Sequence, residues 1–226
     1  MNTHLARLYR DSGELAESVA LYLREGLAQG EAGVVIARPA HRSALAAKLG
    51  SEAVVMLDAE DTLARFMANG MPQWQAFHAA IGGLIAELRL THPAVRAYGE
   101  MVDVLWQRGS REAALRLEEY WNELGRLQTF SLFCAYRMDP CDPALYNGAL
   151  QSICKVHSHT IPASDPRRFD EAVQAASRKV LDPELCSILG TAMPDGQATL
   201  FWLRQNMPRS AEKVFSELRA GAAPAG

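Results

Sequence analysis

Val34-Val35-Ile36-Ala37 is an apolar run rich in β-branched residues, and Val54-Val55-Met56-Leu57 repeats it after a stretch that opens with Pro39. A run of this kind, with no polar residue alternating through it, suits a strand buried on both faces. The segment between the two, from about Pro39 to Leu49, is predicted as a helix, and Pro fits its first turn because that N–H has no helical partner to lose. Strand, helix and strand in this order form a parallel crossover, since the connection is too long for a hairpin.

The same reading extends in both directions. Leu5 to Tyr9 is predicted as a short strand, followed by a helix that Asp11 or Ser12 caps. Leu15, Val19, Tyr22, Leu23 and Leu27 recur there at helical spacing, and Gly30 closes it. Downstream, helical segments are expected from Leu63 to Met67 and from Trp74 to Leu90, a strand from Ala94 to Met101, a helix from Ala113 to Leu127 and a strand from Phe130 to Tyr136. Strands alternating with helices give an α/β class, a mainly parallel sheet flanked by helices. After about Ser164 the pattern changes. Asp165-Pro166 and Asp182-Pro183 each look like a cap followed by Pro at the first helical position, and Phe169, Val173, Ala176 and Val180 mark an amphipathic helix. Leu200, Leu203, Val214 and Leu218 fall in two more. The expected division is an α/β domain over 1–163 and a C-terminal helical extension over 164–226.

Composition narrows the function. Hydrophobic residues make up 49% of the chain and charged residues 22%, as in an ordinary globular protein with a core of its own. Net charge is −3 with Lys and Arg scattered, which argues against a nucleic-acid surface. The helical extension, with eight Lys or Arg against eight Asp or Glu, lacks the same electrostatic footprint. Met1-Asn2-Thr3-His4 has neither the basic nor the apolar region of a signal peptide, and no apolar run is long enough to span a bilayer. Cys134, Cys141, Cys154 and Cys186 then read as reduced thiols of a cytoplasmic protein.

Motifs that carry common chemistries fail in turn. The loop after the first strand, Arg10-Asp11-Ser12-Gly13-Glu14, has one glycine, no lysine, and carboxylates that would repel phosphate. The dinucleotide fingerprint, the nucleophile elbow and paired Cys-x-x-Cys ligands are missing too. In open parallel sheets ligands bind beyond the carboxyl ends of the strands. That rule selects Arg10 and Asp11, Arg38 and His41, Asp58, Glu100 and Asp103, and Tyr136 and Asp139. Glu100 and Asp103, close to Trp106, read either as a polar pocket floor beside an aromatic wall or as carboxylates capping a helix start. Cys154, His157 and His159 form a cluster with metal-ligand chemistry, but a fourth ligand is not visible, so neither metal nor cofactor is expected and His157 reads as a satisfied histidine. Trp74, Trp106, Trp121 and Trp202 read as core anchors.

Several stretches in one order resemble the MEDS family, named for methanogens, methylotrophs and the sensory half of a dichloromethane-responsive regulator. They are His4 to Tyr9, Gly26-Leu27-Ala28-Gln29-Gly30-Glu31, Val34 to Ala37 with His41, and Leu57-Asp58-Ala59. The strongest is Arg96-Ala97-Tyr98-Gly99-Glu100-Met101-Val102-Asp103-Val104-Leu105-Trp106, followed by Leu117-Glu118 to Trp121-Asn122, Phe130 to Tyr136 and Ile153-Cys154-Lys155-Val156-His157. The resemblance implies a degenerate RecA/KaiC-like fold without its nucleotide-gripping loop, and a non-catalytic role in sensing small molecules, such as hydrocarbon derivatives, for a transcription regulator or histidine kinase. It carries no catalytic residues. Arg38, His41, Tyr98, Glu100, Asp103 and His157 are the expected ligand pocket. The expected partners are a small molecule and a regulatory protein, or a second copy in a homodimer. Two further readings stay open: an interaction module without a ligand, and a residual nucleotide binder.

Overall fold

The structure, a computed structural model, describes residues 3–161 and 165–222. Its elements run β1 (His4–Tyr9), α1 (Ser12–Leu27), β2 (Ala32–Ala37), α2 (Pro39–Leu49), β3 (Val54–Asp58), α3 (Ala59–Ala64), β4 (Met67–Ala68), β5 (Met71–Pro72), α4 (Trp74–Phe77), a π turn (His78–Gly82) and α5 (Gly83–Leu88). They continue with β6 (Val95–Gly99), α6 (Met101–Gln107), α7 (Arg111–Leu127), β7 (Phe130–Arg137), a 3-10 turn (Pro143–Tyr146), α8 (Ala149–Val156), β8 (His159–Ile161), α9 (Pro166–Val180), α10 (Pro183–Ala192), α11 (Gly196–Asn206) and α12 (Pro208–Ala222). The chain divides into two units, Met1–Arg137 with Ile153–Thr160, and Met138–Ser152 with Ile161–Gly226.

The first unit is built on a sheet of order β3-β2-β6-β7-β1-β8. β3, β2, β6, β7 and β1 are mutually parallel, with Val35 opposite both Met56 and Tyr98, and Ala6 opposite Cys134. The α/β class with a parallel sheet is therefore as expected, and every residue of β2 is buried, as its unbroken apolar run requires. β7 shows how the two faces divide. Phe133 and Ala135 join Leu15, Val19, Leu23, Leu45 and Leu49 in the core beneath α1 and α2. Cys134 and Tyr136 face the other way and meet Glu118 of α7. The Trp106 ring of α6 packs edge-on against Tyr136, 5.7 Å between centroids, so α6 lies on that second face. The helices that leave β2 and β6 thus depart on opposite faces, which opens a crevice at the carboxyl ends of these neighbouring strands.

Several local features differ from the prediction: the helix expected from Leu63 to Met67 lies earlier, at Ala59–Ala64, with Met67 in a strand, and β8 was not predicted. Met67–Ala68 and Met71–Pro72 form an antiparallel hairpin around Asn69 and Gly70, both with positive φ. Asn-Gly is the preferred pair for such a turn, but strands of two residues are too short to show alternation. The helix expected from Trp74 to Leu90 contains the π turn at His78–Gly82. Gly26 explains the turn after α1: a Cβ there would fall 2.6 Å from Arg96 Nε and from a carboxylate oxygen of Glu31. Arg96 uses that space to reach Glu31 at 2.8 Å and the Tyr22 carbonyl at 3.0 Å, tying α1 to β6.

The second unit is helical. Asp165, Asp182 and Asp195 each accept a hydrogen bond from a backbone N–H in the first turn of α9, α10 and α11, and Pro166 and Pro183 start their helices as predicted. Phe169, Val173, Leu200, Leu203, Val214 and Leu218 are buried, and Tyr146, from the segment Met138–Ser152, packs on Phe215 at 5.2 Å. Among the described residues no helix is long and apolar enough to cross a membrane.

Leu23 is fully buried in the core of the first unit. Leu23→Ala is expected to lower stability by about 2–5 kcal/mol, read as a shift of the urea midpoint with an unchanged slope.

Candidate functional site

The crevice between the ends of β2 and β6 holds a cluster of ionised side chains. Arg38 follows β2 directly, and Pro39 starts α2, so His41 lies one turn further on the same approach. Glu100 occupies the residue between β6 and α6, and its own N–H continues the sheet by bonding to the Ile36 carbonyl at 2.9 Å. Its side chain makes no capping bond to α6. Instead it turns inward, where it is 0% exposed, and accepts hydrogen bonds from the Arg38 backbone N–H at 2.9 Å, from the Tyr98 hydroxyl at 2.6 Å and from His41 Nδ1. The Arg38 guanidinium lies 3.4 Å from the same carboxylate.

Asp103, one turn into α6, is equally buried. It pairs with the Arg38 guanidinium and accepts from Gln107 at 3.0 Å and from the backbone N–H of Arg137, the last residue of β7, at 2.9 Å. Arg38 also donates to the Tyr9 hydroxyl at 3.3 Å, and the Tyr9 ring stands edge-on to His41. One cation therefore links the ends of β1, β2, β6 and β7 through two acids. Of the two readings open for Glu100, an inward polar floor describes its geometry and a helix cap does not.

Burial opposes ionisation of Glu100, but the hydrogen bonds from His41, Tyr98 and Arg38 outweigh it and hold the carboxyl below its ordinary range. Burial and the nearby carboxylates raise the phenols of Tyr9 and Tyr98, and Tyr98 keeps the proton it donates to Glu100. With its acceptor positions occupied and its proton gone, Glu100 is poorly suited to shuttle protons. The group able to meet a ligand is Arg38, whose side chain is 28% exposed, with His41 at 12% beside it.

Five of the six expected pocket residues, Arg38, His41, Tyr98, Glu100 and Asp103, are thus brought together. His157 is placed elsewhere, with its Nε2 3.1 Å from Glu118 and its ring against that of His4, 4.2 Å between centroids. Asp11 caps α1, and Asp58 caps α3 and pairs with Arg42 at 3.0 Å. Tyr136 donates to Glu118 at 2.5 Å on the second face of the sheet. Cys154 is exposed, and the group of metal-ligating side chains found among the described residues is His4, Glu118, Cys134 and His157 rather than Cys154, His157 and His159. Tyr9 and Glu118 escaped sequence reasoning. Tyr9 was legible as the residue next to Arg10 at the end of a strand. Glu118 stands beside Leu117, Ala114 and Trp121 on the buried side of α7, and a charge in an apolar stripe is the signal that would have found it.

The family model of the MEDS domain, described as the MEthanogen/methylotroph, DcmR Sensory domain, matches residues 3–158. No curated protein matches the chain.

Glu100→Gln is expected to lower stability by about 1–3 kcal/mol, because an amide turns an NH2 group towards donors from Arg38, Tyr98 and His41 that converge on a carboxylate. The pH dependence follows from the sign of the shift. A carboxyl held lower in the folded chain stabilises it above the ordinary value of 4.5, and that contribution is lost as pH falls towards the folded value. Melting temperatures measured from pH 7 down to about pH 3 should fall more steeply for the parent than for Glu100→Gln; parallel curves would contradict this role.

Proposed function

Because the chain belongs to the MEDS family of sensory domains, we propose that it is a non-catalytic signalling module that reads a small molecule at the carboxyl edge of its sheet and reports to a regulatory protein. The observation that carries this reading is the position of Arg38. It is the most accessible member of a largely buried ion cluster, and it sits at the strand-order reversal where open sheets take ligands.

The cluster suggests how occupancy becomes a signal. A ligand with an acceptor group competes with Asp103 for the Arg38 guanidinium. Asp103 also holds the N–H of Arg137, the residue from which the chain passes into its second unit. Loosening Asp103 would therefore change the conformational balance of α6 and the end of β7 together. A ligand shifts such a balance only by the difference in its affinity for the two states. Transcription regulators and histidine kinases are the partner classes proposed to receive the signal.

Thermal-shift screening against small metabolites, including carboxylates and halogenated or oxygenated hydrocarbons, tests the reading. A true ligand present at about 100 times its Kd stabilises the folded form by about 2.7 kcal/mol. Arg38→Ala and the milder Arg38→Lys are expected to weaken its binding by about tenfold or more, equivalent to ~1.4 kcal/mol, with the fold retained in the Lys variant. A ligand that protects parent and variants equally binds elsewhere. A regulator bound tightly with no effect of any metabolite would replace the sensor by an interaction module. Turnover of ATP would remove the non-catalytic reading.

A further inference from the structure

On the second face of the sheet, away from the Arg38 cluster, β1, α7, β7 and the residue after α8 each contribute one side chain to a single point. His4 Nε2, Glu118, Cys134 Sγ and His157 Nε2 offer ligand atoms that all lie within 4.8 Å of one another. We propose that these four side chains form a binding site for one divalent transition-metal ion of the zinc class, held tetrahedrally by two imidazoles, one thiolate and one carboxylate.

The first argument is the state of the two histidines. His157 Nδ1 lies 2.7 Å from the Ile153 carbonyl, which can only accept, so that nitrogen carries its proton. His4 Nδ1 lies 3.0 Å from Asn122 Oδ1, and the amide is oriented because Asn122 Nδ2 donates to the Val156 carbonyl at 2.8 Å. His4 Nδ1 is therefore also a donor. In the neutral imidazoles both Nε2 atoms are then lone pairs, and each sits 3.1 Å from the Glu118 carboxylate, itself an acceptor. Lone pairs converging on a carboxylate repel unless a cation lies among them, either a metal ion or a proton on Nε2. His157 Nε2 is buried and lies 3.1 Å from Glu118 without good hydrogen-bond geometry to that carboxylate.

The second argument is geometry. Bonds of about 2.0–2.3 Å to zinc place tetrahedral ligand atoms roughly 3.3–3.8 Å apart. Three of the six spacings are 3.1 Å from His4 to Glu118, 3.4 Å from His4 to Cys134 and 3.6 Å from Cys134 to Glu118, and all six lie within 4.8 Å, so closure needs shifts of at most about 1 Å. Outer contacts hold the ligands in place: Asn122 on His4, the Ile153 carbonyl on His157 and the Tyr136 hydroxyl on Glu118. A cleft of about 450 Å³ is lined by His4 and His157, with Trp121 and Asn122, so two of the four ligand residues border open space.

Charge is the third argument. Binding breaks the Cys134 S–H bond, releases its proton to solvent and forms a metal–sulfur bond. A dication, one thiolate and one carboxylate then sum to zero, which is the least costly state for a buried group.

The test uses the full chain, stripped of metal and titrated with Co²⁺. The expected result is one ion per chain, with the strong visible bands of tetrahedral cobalt and a near-ultraviolet thiolate-to-cobalt band, both abolished by excess Zn²⁺. Cys134→Ser, nearly isosteric, should lose the thiolate band, and His157→Gln should weaken binding at least tenfold. Asn122→Ala, which frees the His4 ring, should weaken it about 10–100-fold. Cys154→Ser, which alters an exposed thiol, should change nothing. Octahedral spectra, a thiolate band that survives in Cys134→Ser, or no binding by a chain whose circular dichroism is native would each overturn the site. The last result would leave Glu118 neutralised by a protonated His157. None of these outcomes bears on the Arg38 cluster, so this site and the sensor reading stand or fall separately.

Discussion

A carboxylate withdrawn from water costs several kcal/mol unless charge and hydrogen bonds replace the water at contact distance. This chain withdraws three of them, Glu100, Asp103 and Glu118, completely. Much of its architecture answers that requirement. Arg38, His41 and Tyr98 converge on Glu100 from the ends of two adjacent strands and the first turn of α2, and Asp103 shares the same arginine. On the opposite face His4, His157, Cys134 and Tyr136 converge on Glu118. Neither group could be satisfied within one helix or strand. Each therefore fixes the relative placement of elements distant in sequence, which is a use of buried charge distinct from net stabilisation.

The two acid centres also differ in openness. Around Glu100 the compensating cation reaches the surface through Arg38, so the surroundings can compete for it. Around Glu118 the compensation is internal, and burial of the acid is opposed by two imidazoles that pull its carboxyl far below the ordinary range. Glu118 in turn raises His157 against the effect of burial, and burial, reinforced by Glu118, raises the Cys134 thiol. This chain thus has one polar centre that faces outward and one that faces in.

What the sequence disclosed follows from the range of the physics involved. The unbroken apolar run of β2, Pro39 at the head of α2 and the Asp-Pro starts of α9 and α10 are local signals, and they placed their elements well. The rule that ligands sit beyond strand ends named Arg38, His41, Glu100 and Asp103, because all four lie within a few residues of a strand terminus. Tyr98 was named from the same stretch. The partners of His157 could not be read this way. They arrive from β1, α7 and β7, and only pairing of β1 with β7 puts Ala6 beside Cys134 and brings His4 into reach. Cys154, His157 and His159 stood out by closeness in sequence, but α8 ends at Val156, so His157 follows its own path from the helix end. The hairpin at Asn69-Gly70 had a turn signal and lacked only strands long enough to support it.

The position of β1 within the sheet has a consequence for how the chain acquires its structure. His4 lies opposite Leu132 and Tyr9 opposite Arg137, so the earliest strand finds its main neighbour only when β7 exists. On a ribosome β1 must wait, unpaired along that side, through synthesis of β2, β3 and β6. Parallel pairing across so long a loop is entropically demanding and kinetically slow. The nascent strand His4-Leu5-Ala6-Arg7-Leu8-Tyr9 carries its own safeguard in the interim, since a cationic Arg7 interrupts the apolar sequence and discourages self-association.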